Sequence, residues 1–150
     1  MRPRINYGQQ YPEAIKGLLE LEKYVAASGL ERSTFELVKL RASQINGCAY
    51  CIDMHTKDAR EAGETEQRLY ALSAWRETPF YTSRERAALQ WTETLTLISE
   101  NKVSDELYQR VKTQFEEKDL IALTMTIIAI NGWNRLAISL RTVPGSYQPK

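Results

Sequence analysis

Apolar residues recur at steps of three and four along most of the chain, and no segment alternates apolar with polar as a half-buried strand does. A first helix is predicted to open at Pro12-Glu13 after Tyr11, to carry Ile15, Leu18, Leu19 and Val25 inward, and to end at Ser28-Gly29. A second starts at Ser33-Thr34-Phe35-Glu36, which has the form of a capping box, and runs with Leu37, Leu40 and Ile45 to the Asn46-Gly47 turn. A third spans about Cys48 to Ala62 and is stopped by Gly63. A fourth runs from Thr65 to about Arg76, burying Leu69 and Leu72 before Thr78-Pro79 breaks it. Thr82-Ser83-Arg84-Glu85 is a second capping box, followed by Ala88, Trp91, Leu95 and Ile98 in a helix that fades at Asn101. Ser104-Asp105-Glu106 opens a sixth with inward Leu107, Val111 and Phe115, and a last runs from Lys118 or Asp119 to about Arg141. The pattern predicts an all-α bundle of about six to seven helices in a single domain over residues 1–150, without repeat or linker.

The last helix changes the picture, because its first half is apolar almost all round and needs a neighbour on every side, either the core or a second subunit. Its apolar run Leu120–Ile130 is eleven residues long and includes Thr124 and Thr126, too short and too polar for a membrane span. Composition adds little: 43% hydrophobic and 26% charged residues, with a formal net charge of +1, describe an ordinary globular chain. A chain of 150 residues buries roughly 70% of the surface its unfolded form exposes and needs no staple to fold. No basic stripe with interleaved aromatics is present, so nucleic acid is not an expected partner. Met1 to Gln10 is polar and lacks the apolar stretch of a signal peptide, which makes a cytoplasmic location the expectation. In that reducing compartment a lone cysteine pair is catalytic or metal-binding rather than a structural staple.

Both cysteines and the only histidine lie between residues 47 and 55, Gly-Cys-Ala-Tyr-Cys-Ile-Asp-Met-His. Two cysteines separated by two residues can close a small disulfide, and the thiolate is their reactive form. Cys48 lies at the start of its helix, where unpaired N–H groups and the macrodipole favour an anion, whereas Cys51 has His55 one turn further on. Position alone leaves open which cysteine attacks. If the two helices flanking Asn46-Gly47 form an antiparallel hairpin, Glu36 lies roughly 16 Å before the turn and His55 roughly 12 Å after it, at nearly one level. A relay from Glu36 through His55 to Cys51 is then feasible, with the carboxylate orienting the imidazole. Glu36 also has a plain reading as a capping residue, Asp53 reads as solvated on another face, and Tyr50, Met54, Trp91 and Trp133 read as core or interface.

Two rival chemistries are testable on the sequence. Covalent haem attachment needs histidine directly after the second cysteine, where Ile52 stands. Zinc held by Cys48, Cys51, His55 and Glu36 has suitable ligand types but crowds three ligands on one helix, with no second CxxC or CxxH to complete a tetrahedron. No resident metal or other cofactor is expected.

Glu36, eleven residues, Cys48, two residues, Cys51, three residues and His55 resembles the signature of the AhpD-like alkyl hydroperoxidases of the carboxymuconolactone decarboxylase family. Residues 75 to 96 and the Asn131–Leu140 stretch with Asn134-Arg135-Leu136-Ala137 are also similar to the small members of that family, so the resemblance covers about residues 12 to 147. It implies an all-helical homo-oligomer, a hexamer built from dimers, that cycles a disulfide to reduce hydroperoxides. It further implies that Cys51 attacks the peroxide, that Cys48 donates a proton and resolves the sulfenic acid, and that Glu36 and His55 relay protons. The reductant would be a dithiol protein, lipoylated or thioredoxin-like. Tyr50 departs from the pattern, since the best-characterised peroxidases of the family have histidine immediately before the second cysteine, which bears on proton-transfer efficiency and with it rate and donor; Tyr50 either keeps a supporting hydrogen-bonding role through its hydroxyl or simply packs. The rival of another class is a non-enzymatic redox sensor using the same disulfide. Decarboxylase or lactone chemistry is a third reading, in members that lack the cysteine pair.

Overall fold

The computed structural model describes residues 1–149, so Lys150, the last position of the expected domain, lies outside it. Among the described residues there is no strand, and the α-helices are α1 (Tyr7–Gln10), α2 (Lys16–Ala27), α3 (Arg32–Asn46), α4 (Ala49–Glu61), α5 (Glu66–Ala71), α6 (Ser83–Thr96), α7 (Asp105–Lys112) and α8 (Glu117–Leu140). Turns of 3-10 helix at Pro12–Ile15 and Leu72–Glu77 precede α2 and follow α5. The all-α fold is as the sequence predicts. The short α1 has no counterpart in the hydrophobic pattern, because none of its residues is buried.

Helix α3 is the spine. Leu37, Val38, Leu40 and Ala42 are fully buried, and they supply all the clusters into which the core divides. Val38 joins Trp91, Leu107, Val111, Phe115, Leu123 and Ile127, where α6, α7 and α8 meet. Leu37 and Leu40 join Leu69, Leu72, Trp75 and Leu89 under α5 and α6. Ala42 joins Cys48, Cys51, Ile130 and Ala137, so the cysteines belong to the apolar interior between α3, α4 and α8. Helix α8 passes the length and composition test for a membrane span, but its packing against α2, α3, α4 and α6 makes it the core helix of this fold.

Local chemistry explains most boundaries. Thr82 and Glu85 form the reciprocal capping box expected at α6, and Thr65 and Ser104 cap α5 and α7. The other expected box does not form: α3 begins two residues earlier, at an N-cap Glu31 that makes no side-chain cap, and the Glu36 carboxylate instead meets Arg32 on its own helix and His55 across the hairpin. The helix expected to reach Arg76 tightens to 3-10 at Leu72, with Ala74 outside helical geometry, and α6 stops at Thr96, leaving Ile98 exposed. Phe115 is buried as expected, although α7 itself ends at Lys112.

Candidate active site

The turn between α3 and α4 is made by Gly47 in the left-handed region, φ 71°, a conformation that favours glycine. It reverses the chain, so that Cys48 becomes the N-cap of α4 rather than a residue of its first turn. The Cys48 sulfur accepts the Cys51 backbone N–H at 3.4 Å, and the two cysteines are joined in a disulfide with a Cα–Cα distance of 5.3 Å. Both are buried, at 1% and 2% exposure, with Tyr50 and Trp133 packed against them.

One turn beyond Cys51, the buried His55 places Nδ1 at 3.0 Å from Glu36 Oε2 on α3. The level matching estimated from helical rise therefore holds in three dimensions. The other Glu36 oxygen pairs with Arg32 Nε at 3.2 Å. His55 Nε2 is buried and has no hydrogen-bond partner among the described residues. When Nδ1 carries the proton and donates it to the carboxylate, Nε2 is left as the basic nitrogen of a fixed imidazole. A cavity of about 230 Å³, walled in part by Ser33, Ala59, Glu64, Arg68 and Glu85, reaches Glu36.

A polar floor supports the turn. Asn46 Nδ2 donates to Asn134 Oδ1 at 2.8 Å and to Asn131 Oδ1 at 3.0 Å, while Asn134 Nδ2 donates to Ser43 Oγ at 3.1 Å. These amides tie the loop before Cys48 to α8, and sequence reasoning assigned them no role. Their signal was asparagine inside the most apolar helix, since a buried amide must be satisfied. Tyr50 is half-buried with its phenol pushed up, chiefly by burial and then by nearby Tyr7 and Asp53. Trp133 Nε1 donates to Glu22, which also pairs with the buried Lys39 at 2.6 Å. Asp53 is not simply solvated: it accepts from Lys57 Nζ and from the Gly145 N–H, each at 3.0 Å, and these partners outweigh burial and hold its carboxyl below the usual range.

The cysteine-containing zinc set is not assembled here, because the two sulfurs are bonded to each other. The donors that do converge are Glu36, His55 and Asp58, whose nearest ligand atoms lie within 4.8 Å of one another. A cation there would have to displace the Glu36–His55 bond.

Comparison with known proteins bears on the same residues. The model of the carboxymuconolactone decarboxylase family matches residues 10–94, which include Glu36, Cys48, Cys51 and His55. The chain belongs to the carboxymuconolactone decarboxylase family. Within that family, an uncharacterized protein of Bacillus subtilis, YdfG, is 49% identical over 140 residues, covering 93% of this chain and 95% of the relative. A solved structure from Agrobacterium tumefaciens, of unknown function and described as a candidate antioxidant defence protein AhpD, superposes with a TM-score of 0.93 at 43% identity, covering 97% of this chain and all of that one. An alkyl hydroperoxide reductase AhpD of Mycobacteroides abscessus is 53% identical over 45 residues, 29% of this chain and 26% of that protein. Family membership and the AhpD-like fold are thus established, and the family holds peroxidase-related members as well as those that gave it its name.

Proposed function

We propose that the protein is a thiol-dependent hydroperoxide reductase. The observation that carries this reading is the buried Glu36–His55 pair on the hairpin that holds the closed Cys48–Cys51 disulfide. In the reduced protein the Cys51 thiolate attacks the distal peroxide oxygen; the O–O bond breaks, the alcohol leaves with a proton, and Cys51 becomes a sulfenic acid. The Cys48 thiol then attacks the Cys51 sulfur, the S–O bond breaks, and water departs with the Cys48 proton. His55 shuttles these protons through Nε2 and Glu36 steadies its imidazolium. A dithiol protein, lipoylated or thioredoxin-like, reduces the disulfide and is itself oxidised. The Cys51 N–H on the Cys48 sulfur suits that last step, since a stabilised thiolate is the better leaving group.

No cofactor takes part, and the setting is the reducing cytoplasm. The working form is a homo-oligomer, a hexamer by the family resemblance, and Ile121, Ile128 and Ile138 exposed along α8 support such packing. Light scattering that found a monomer would refute the assembly. A second reading is favoured by the burial of both sulfurs, which slows their access to any oxidant: a redox sensor in which the same disulfide forms without turnover. Steady-state reduction of an organic hydroperoxide with a dithiol donor, lost in Cys51→Ser, supports the enzyme. Oxidation of the wild-type thiols by peroxide without repeated turnover leaves the sensor in its place.

A further inference from the structure

Helix α8 ends at Arg141 in the left-handed conformation, φ 58°, and Gly145, φ 104°, turns the following segment onto α4. The Gly145 N–H donates to Asp53 Oδ2 at 3.0 Å, Lys57 Nζ donates to the Tyr147 carbonyl at 3.1 Å, and the Tyr147 hydroxyl donates to Asp58 Oδ1 at 2.7 Å. Ordering an irregular segment costs conformational entropy that only specific contacts offset. Beyond the Thr142 N–H bond back to Ala137 on α8, these three contacts all fall on the helix that carries Cys51 and His55. Tyr147 is half-buried between exposed Ser146 and Gln148, and its phenol is pushed up to about 12, first by burial and then by the bond to Asp58 and the charges of Asp58 and Glu36. Asp58, in turn, is the third member of the Glu36–His55 convergence within 4.8 Å.

We infer that Asp58 and Tyr147 are positioning residues of the redox site: the strap of residues 142–149 carries the Tyr147 hydroxyl onto Asp58 and holds a second carboxylate beside the Glu36–His55 pair. The inference rests on the thiol–disulfide reading and adds to it a residue pair outside the cysteine motif. The imidazole meets Glu36, itself paired with Arg32, from α3 and Asp58 from its own helix, and Asp58 in turn carries Tyr147 of the strap, near Tyr50. Glu64, Arg68 and Glu85, beyond Glu36 across the cavity, are paired among themselves. Asp58 is therefore the second carboxylate of the convergence, and negative charge beside an imidazole favours its protonated form, which in turn favours a neighbouring thiolate.

The test is the pH dependence of alkylation by iodoacetamide in the reduced protein, for wild type, Asp58→Asn, Tyr147→Phe and His55→Ala. Asp58→Asn is expected to move the midpoint upward by about 0.3–0.5 pH unit, an effect that reaches the thiol through the imidazole. Tyr147→Phe moves it the same way by less, because Asp58 without the hydroxyl relaxes towards solvent. Should Asp58→Asn not fold, Tyr147→Phe decides the matter alone. Profiles that coincide with wild type in both variants, while His55→Ala shifts, overturn the strap's role and leave the acid–base reading standing. A His55→Ala profile identical to wild type overturns both.

Discussion

Two carboxylates packed between helices, Glu93 half-buried and Glu36 buried, show what this fold does with the same chemical group. Glu93 on α6 accepts from Trp75 Nε1 at 2.9 Å, from Arg41 Nε at 2.8 Å and from Arg76, so it joins α3, the 3-10 turn and α6. Burial, which would raise its pKa, is outweighed by these donors, and the carboxyl is held below the usual range. Glu36 on α3 has one partially solvent-exposed arginine and one imidazole, and that imidazole keeps a buried nitrogen with no partner. A fully satisfied carboxylate serves stability. One whose partner retains an unbonded ring nitrogen gives up some satisfied polar contact, which suits the proton transfer proposed above.

The comparison breaks first at Glu93. Glu93→Ala leaves Arg41 and the Trp75 indole N–H without their acceptor, and is expected to cost about 3 kcal/mol, or roughly 6–12 °C in Tm for a chain of this size, with thiol alkylation unchanged. Calorimetry and alkylation of the same sample check both halves. The pH dependence follows from the lowered carboxyl: its stabilisation is complete above the ordinary glutamate value of ~4.3 and is lost as pH falls through the lower folded value. Wild type should therefore lose stability on acidification more steeply than Glu93→Ala.

His55→Ala should instead act on the chemistry, lowering peroxide turnover on the order of 10²-fold in the protein that remains folded, as expected for loss of a general acid–base group. Glu36→Gln keeps a hydrogen bond to the ring and loses the charge, so a drop of about tenfold with a displaced pH–rate profile is expected. An unchanged profile in Glu36→Gln would make Glu36 a second Glu93. At the alkaline end the Tyr147 phenol, raised to about 12, contributes stability that is complete below the ordinary tyrosine value of ~10 and disappears as pH rises through about 12. Phenolate absorbance that titrates late in wild type and loses that component in Tyr147→Phe would show the strap's anchor directly. Tyr50→Phe should be the mildest change, within about twofold in turnover, since its hydroxyl makes no hydrogen bond among the described residues and a substitution that leaves packing intact moves little.

Much of this was legible beforehand. Helical periodicity located α2 through α8 because each must bury a stripe, and the spacing of Glu36, Cys48, Cys51 and His55 about Gly47 placed carboxylate and imidazole at one level because helical rise is constant. The capping box at Ser33 was the misreading: a local rule assigned Glu36 to its own helix end, and a partner nineteen residues away won the carboxylate instead. The 3-10 tightening at Leu72 had no sequence signal, since Leu72 and Trp75 are buried equally well by either geometry.

By itself the sequence determined the helices, the hairpin, the cysteine pair and the residue types available for proton work, all consequences of short-range periodicity and spacing. Only the tertiary structure decided that Glu93 is a structural anchor and Glu36 is not, that Asn131 and Asn134 reach the turn before Cys48, and that the strap returns to lay Tyr147 on Asp58. Those pairings join residues from 18 to 89 positions apart in the chain. Which donor meets which acceptor at such separations depends on how the helices pack, and no local pattern encodes it.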